Sequence, residues 1–474
     1  MLDHQRVETA PRGTGGVSVG ITSLFKGRRF QAAVFVILGL CFLSTYSIGL
    51  ILLPKADGRL LRGDSVYYYV YLRSMLHDYD LRFANDFEGI LGYVESPRTE
   101  APPGAKPGYI PNPMSLGPAL IWAPAHLLVT AGVYIAGTLG LHYPLDGFGR
   151  VFQAAAGWTG ILAATLGAYF SYLFCALRYP PSVALAATIT VWFGSSAIYY
   201  TVVSPTYSHA CSMLVVSGFF LLWAAGVGDM SSRRFGILGA LGGACALVRF
   251  QDAVLLAVPL LEAASYLGKE RNTKALWTAT GRAAICVASA AVAFSPQLLA
   301  WAVIYGRPLL VPQGSGFMQW SAPYVWPVLF SDWRGLFTVT PIIAVSIAGV
   351  GWLWRDWPEV APGVTAALVL SIYANSSIVQ WWAGESFGAR RFVSCFPLFA
   401  LGLAAVFTRV RPRVIVTVAS LFIVLNGLLL LQYEVFMHGL RTVAPYPRGF
   451  YGLVVARFVV PFKLLAVALR TLWP

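Results

Sequence analysis

Apolar runs of about 20 residues, the length that crosses a bilayer as a helix, alternate with short polar intervals along most of the 474-residue chain. The pattern predicts helices over 30–53, 150–177, 182–199, 207–227, 283–305, 336–354, 360–380, 392–408 and 414–432. Three intervals read differently. Residues 236–267 are too short for two full crossings and too long for one, with Arg249-Phe250-Gln251-Asp252 in the middle and basic residues at both ends. They predict a hairpin of two short helices with a polar tip. Residues 115–141 are interrupted by Pro118 and Pro124. A single crossing there would split Arg178, Arg233-Arg234 and the basic cluster at 269–282 between the two sides, against the positive-inside bias. A juxtamembrane or re-entrant pair of short helices on the outer face is expected instead. Residues 451–473 fit either a last span or an interfacial helix. The fold expected is an all-α polytopic membrane bundle of about eleven or twelve transmembrane or re-entrant helices.

Composition agrees: 57% of residues are hydrophobic and 11% charged, where a soluble domain carries about a quarter charged. The formal charge of +14 lies mostly in short runs between apolar segments, so it reads as topology rather than nucleic-acid binding. Six cysteines fall inside apolar runs without paired spacing, which indicates neither a disulfide framework nor a zinc site. Residues 1–29 end in Lys26-Gly27-Arg28-Arg29 and imitate a signal peptide. The apolar run that follows is longer than an h-region and lacks a small-x-small cleavage site, so a cytoplasmic disordered tail and a retained first helix are expected. The main membrane domain then covers 30–432, with an outer loop at 54–149, and 433–474 is a C-terminal outer segment. The Ala- and Gly-rich basic style suits a bacterial inner membrane, with the site facing the periplasm.

The outer loop changes the picture most. Between Pro54 and Pro113 lie Asp57, Asp64, Asp78, Asp80, Asp86, Glu88, Glu95 and Glu100, eight of the chain's twenty acids. Asp64 heads a segment of aromatic and aliphatic residues, Ser65–Leu76, expected as an amphipathic helix in the interface. There it is either a general base for a hydroxyl or an N-cap worth ~1 kcal/mol. Asp78, Asp80 and Asp86 each offer a second carboxylate, to polarise an acceptor or to join Asp64 around a divalent cation, Mg or Mn; Asp80 equally suits a turn. His209 follows Ser204-Pro205-Thr206-Tyr207-Ser208 and can donate to a phosphate or sugar oxygen, or be a structural partner. Arg249 in an apolar hairpin costs ~2.5–3.5 kcal/mol at membrane depth, so it either binds phosphate through its guanidinium fork or pairs with Asp252. In the string Trp381-Trp382-Ala383-Gly384-Glu385-Ser386-Phe387-Gly388-Ala389-Arg390-Arg391, the two arginines oppose the positive-inside bias. Arg390 or Arg391 then holds a phosphate, with Glu385 and Trp382 toward a sugar. The alternative is a Glu385–Arg salt bridge with interfacial Trp anchors.

The stretch GDSVYYYVYLRSMLHDYDL (63–81) resembles the first-loop signature of the GT-C glycosyltransferase superfamily, and KPGYIPNPMSLGPALIWAPAHLL (106–128) resembles the Pro-rich lead-in and juxtamembrane helix that follow it. The resemblance is nearest to bacterial members related to the protein mannosyltransferase and lipid A aminoarabinose transferase families. It implies transfer of a sugar from a polyprenyl phosphate to an acceptor on the outer face. Asp64 matches the acid of that signature and is implied as the base. Tyr67 and Tyr68 fall in its tyrosine-bearing helix, on the substrate side, and Lys106 in the lead-in, as a phosphate contact. The paired Asp-Glu of the family is Asp64-Ser65 in this chain, and its basic-Pro-Pro lead-in is matched by Lys106-Pro107 or Asn112-Pro113.

Three readings follow. The first is an inverting glycosyltransferase in which Asp64 deprotonates the acceptor while Arg249, Arg390 and Arg391 stabilise the phosphate leaving group. The partners are then a lipid-linked sugar donor, membrane lipids and a glycan, lipid or protein acceptor, with no nucleic acid. The second is a transporter or flippase of a lipid-linked glycan, which would place polar residues through the depth of several helices and carry an internal repeat. The third is a non-catalytic assembly factor.

Overall fold

The computed structural model describes residues 28–52, 60–94, 104–384 and 386–472. Asp57, Glu95, Glu100, Glu385 and the tail 1–27 lie outside them. Among the described residues the secondary structure is helical, with a single β bridge between Met318 and Ile378. Nine of the described helices are long and apolar enough to cross a membrane, and the chain is a multi-pass membrane protein.

Helix α1 (Arg29–Leu52) is followed by α2 (Asp64–Arg73), α3 (Ala84–Leu91), α4 (Gly117–Thr138) and α5 (Arg150–Cys175). Arg28 donates to the Ala176 carbonyl at 3.1 Å and Arg150 donates to the Leu50 carbonyl at 2.8 Å. Thus α1 ends beside the start of α5, on what we term the loop face. The interval between them makes no net crossing, as the charge pattern required. Within it, however, 115–141 is one helix and not a pair. Pro118 sits in the first turn, where its missing N–H costs nothing, and Pro124 is carried inside α4.

A second expectation also fails. The segment after Asp64 does not lie in the interface: Ser65 to Arg73 are all buried. Tyr69 donates to the Gly147 carbonyl at 2.7 Å, Asn112 donates to the Tyr67 carbonyl at 2.8 Å, and the Arg73 guanidinium lies 3.9 Å from the centre of the Phe148 ring. Two segments of the loop thus wrap α2, and each fully buried side chain of Leu or Phe size contributes ~1.5–3 kcal/mol.

The bundle continues through α6 (Pro181–Phe193), α7 (Ala197–Val202), α8 (Ser208–Ala225) and α9 (Ser232–Val248). The single helix expected over 182–199 breaks at Gly194-Ser195-Ser196. A 3₁₀ turn over Phe250–Leu256 then leads into α10 (Ala257–Glu270). This is the hairpin of 236–267, with Arg249 in extended backbone at its tip. At the opposite end Arg234 pairs with Glu262 at 2.9 Å. Helix α11 (Thr273–Tyr305) starts ten residues earlier than the hydrophobic pattern indicated, because the Asn272 side chain caps it by accepting from the Ala275 N–H at 2.8 Å. A Cβ on Gly239 or Gly243 of α9 would meet the carbonyl oxygen of Cys286 or Ala290 at 2.1 or 2.3 Å. Small residues at i and i+4 are therefore what let α9 and α11 touch backbone to backbone.

The remaining helices are α12 (Val325–Phe330), α13 (Leu336–Val339), α14 (Ile342–Asp356), α15 (Ala361–Ser376), α16 (Phe396–Phe407), α17 (Pro412–Met437) and α18 (Ala456–Leu472). Pro341 splits the run 336–354, and a 3₁₀ turn over Arg390–Cys395 precedes α16. Near α18, Gly452 accepts from Gln432, while Leu464 packs on the cluster of Val435 and Val443. Helix α18 is among the nine long and apolar enough to cross a membrane, and its Arg457 donates to the Leu425 carbonyl of α17 at 3.4 Å.

Candidate functional site

A cavity of about 1230 Å³ opens beneath the loop face. Its polar head is walled by Asp64, Tyr67, Tyr68, His209, Arg249, Arg390 and Arg391, which four separate segments of chain bring together. Among the described residues Asp64 is the only carboxylate on the wall. It is the first residue of α2, and Gly63 before it takes the N-cap position with no side-chain cap bond. The N-cap reading of Asp64 therefore does not hold. Its Oδ2 accepts from Arg390 Nη1 at 2.6 Å, and the pair is 27% and 14% exposed.

Tyr207 holds this pair from below. The Arg390 guanidinium lies 5.7 Å from the centre of its ring, and its hydroxyl approaches Gly63 so closely that a Cβ there would lie 2.8 Å away. Gly63 has φ +54 and ψ −134, a conformation left to glycine. Sequence reasoning assigned neither residue a role, although each is adjacent in sequence, or nearly so, to one it did single out. Gly63→Ala is expected to cost ~1–3 kcal/mol of backbone strain and to displace Tyr207. A lowered melting temperature in detergent together with weakened activity would register both effects.

Arg249 donates to His209 Nδ1 at 2.6 Å and to Ser208 Oγ at 3.4 Å, and its Nε lies 4.0 Å from Asp252. A guanidinium can only donate, so the His209 ring, whose two nitrogens lie 2.6 and 3.4 Å from the same Arg249 Nη1, is the acceptor of this contact. The Arg249–Asp252 pair and the cavity-facing guanidinium are thus both present, where the sequence had set them as alternatives. Tyr68 shares a 3.0 Å hydrogen bond with Ser208, and burial, with the Asp64 charge second, pushes its phenol up to about 12. Arg391 donates to the carbonyls of Gln380 and Trp381 at 2.8 and 3.3 Å.

Other candidates lie elsewhere. Asp80 accepts from Ser74 Oγ at 2.8 Å and from the Arg82 N–H at 3.1 Å, which closes a turn away from the cavity. Asp86 is buried against Arg73 at 2.9 Å, and Asp78 pairs with the same guanidinium. None of these three acids is on the cavity wall that carries Asp64, and among the described residues no three His, Cys, Asp or Glu side chains converge on a point. Lys106 donates to the Ala302 carbonyl at 3.0 Å and ties the lead-in to α11, outside the cavity wall. Trp382 stacks on Trp333 with ring centres 5.5 Å apart and is not among the residues of the cavity wall. Glu385 lies outside the described residues.

Burial pushes the Asp86 carboxyl up to about 6, with Arg73 working against it. The folded state thus prefers Asp86 protonated relative to an unfolded carboxyl near 3.9. Its contribution to stability is full below that value and is lost as pH rises through about 6. The melting temperature of Asp86→Asn minus that of wild type should therefore climb between pH 4 and 6 and level off above.

Below the head the cavity becomes apolar. Gly243 and Ala246 of α9, Ala253 and Val254 of the 3₁₀ turn, and Val287, Ala290, Phe294 and Trp301 of α11 line this arm. From Trp301 to Val287 it follows α11 for about 21 Å, and Val287 is 53% exposed on the lipid-facing flank. Residues 310–320 supply a further part of the wall. Gln319 and Tyr324 donate to the carbonyls of Ser377 and Ser376 at 2.6 and 2.7 Å, and Gln313 donates to the Pro113 carbonyl at 2.7 Å.

No protein-family model matches the chain, and no curated protein does. Among solved structures it is similar to the crystal structure of ArnT from Cupriavidus metallidurans bound to undecaprenyl phosphate. The match has 14% sequence identity and a TM-score of 0.48, and covers 92% of this chain and 77% of that one.

Proposed function

We propose that the protein is a GT-C type glycosyltransferase that moves a sugar from a polyprenyl-phosphate donor to an acceptor hydroxyl at the loop face. The observation that carries this reading is the division of one cavity into a cationic head with a single carboxylate and an apolar arm open toward lipid. A nucleotide sugar has no use for the arm. A lipid-linked donor needs both parts, with the isoprenoid in the arm and the phosphate among Arg249, Arg390 and Arg391. The chemistry then balances with the residues present. Asp64 takes the acceptor proton, the acceptor oxygen bonds to the anomeric carbon, and the bond from that carbon to the phosphate oxygen breaks. Its electron pair stays on the phosphate, where three guanidiniums meet the added negative charge. Stabilising charge that develops in the transition state is usually the largest catalytic contribution.

The test supplies membranes containing the protein with radiolabelled polyprenyl-phosphate sugars and, separately, with labelled nucleotide sugars. Label should move from the lipid donors into lipid, glycan or protein, and excess farnesyl phosphate should suppress it. Transfer from nucleotide sugars alone, or none from any lipid donor, would refute the reading and return a transporter or an assembly factor to consideration.

A further inference from the structure

We infer that Arg390 exchanges partners during turnover: it holds Asp64 while the cavity is empty and releases it to bind the donor phosphate, so that the base is freed only when the donor is in place. This rests on the reading above. Arg390 and Asp64 are in contact at 2.6 Å, and that contact occupies Oδ2, one of the two oxygens that would receive the acceptor proton. Among the described residues no other carboxylate faces the cavity to replace Asp64, whereas Arg249 has Asp252 behind it and His209 beside it, and Arg391 holds two backbone carbonyls. Arg390 is therefore the one arginine of the head whose present partner is also the proposed base.

Charge makes the exchange coherent through the cycle. A guanidinium only 14% exposed is costly without an anion beside it. In the empty site that anion is Asp64. Once Asp64 has accepted the acceptor proton it is neutral, and at that moment the phosphate, a monoanion in the donor, has gained a second negative charge. Arg390 thus always faces one anion, first the carboxylate and then the phosphate. After the product lipid leaves and Asp64 loses its proton to water, the original pair reforms. Tyr207, with its ring beneath the guanidinium, gives Arg390 a fixed surface on which to turn between the two. The order of binding follows: donor first, acceptor second.

The experiment is a double-mutant cycle on the full-length protein in detergent, with farnesyl phosphate as the probe and calorimetric titration as the readout. In wild type the phosphate must displace Asp64. Asp64→Asn removes the competitor, so affinity should rise by about tenfold or more, the lower range of coupling between close charge pairs. The gain should vanish in the Arg390→Gln background. A gain of the same size in that background means simple repulsion between Asp64 and phosphate, and overturns the exchange. So does equal affinity of wild type and Asp64→Asn; both results leave the lipid-phosphate reading intact. No binding by wild type overturns that reading and the exchange together. Asp64→Ala and Arg390→Met repeat the cycle with different side-chain volumes should either first variant fail to fold.

Discussion

Asp64→Asn protein, given a competent lipid donor, is expected to transfer sugar about 10²–10⁴-fold more slowly than wild type, the usual contribution of a positioned general base. Asn fills the same volume and can keep a hydrogen bond to Arg390, so α2 and its surroundings should stay in place. What is lost is the ability to take a proton from the acceptor. The loss should appear in the rate at saturating donor and not as a failure to bind farnesyl phosphate. Label transfer in membranes, scored beside phosphate binding in detergent, separates the two. Equal transfer by both proteins would remove Asp64 as the base, whatever else the cavity does.

Removing Arg249 should be nearly as severe, and for a different reason. Its guanidinium is 7% exposed, reaches the cavity head, and backs onto Asp252, itself 4% exposed. Loss of a preorganised donor to developing charge typically costs about 10²–10³ in rate. Arg249→Ala also strands a buried carboxylate, which destabilises by ~3–5 kcal/mol. The pair Arg249→Met with Asp252→Asn removes that second penalty. It should regain most of the melting temperature and none of the transfer. Recovery of transfer along with stability would show that Arg249 is structural, a partner for Asp252 and nothing more.

Much of the architecture was legible in the sequence because it depends on local pattern. Apolar runs of bilayer length become helices wherever backbone polar groups must be satisfied internally. The basic intervals correctly required that the loop between α1 and α5 make no net crossing. Arg249 stood out because a charge in an apolar hairpin is expensive, and Arg390 and Arg391 because they break the charge bias. Where the pattern misled, the cause was also physical. Tyr67 to Leu72 looked amphipathic as a list of residue types, but the segments around Asn112 and Gly147 cover both sides of α2 and bury it. Asp80 and Asp86 looked like partners for Asp64 because they are near in sequence; one closes a turn and the other neutralises Arg73.

The sequence by itself therefore determined a helical membrane protein, the hairpin with Arg249 at its tip, and the acid and arginines worth attention. Only the tertiary structure decided that Asp64 meets Arg390 across 326 residues, that Tyr207 lies beneath them, and that the glycines of α9 bring α11 close enough to wall an apolar arm. Helices follow from short-range hydrogen bonding and burial, which a run of residues already encodes. A site assembled from four distant segments depends on how those helices pack, and no local pattern carries that information.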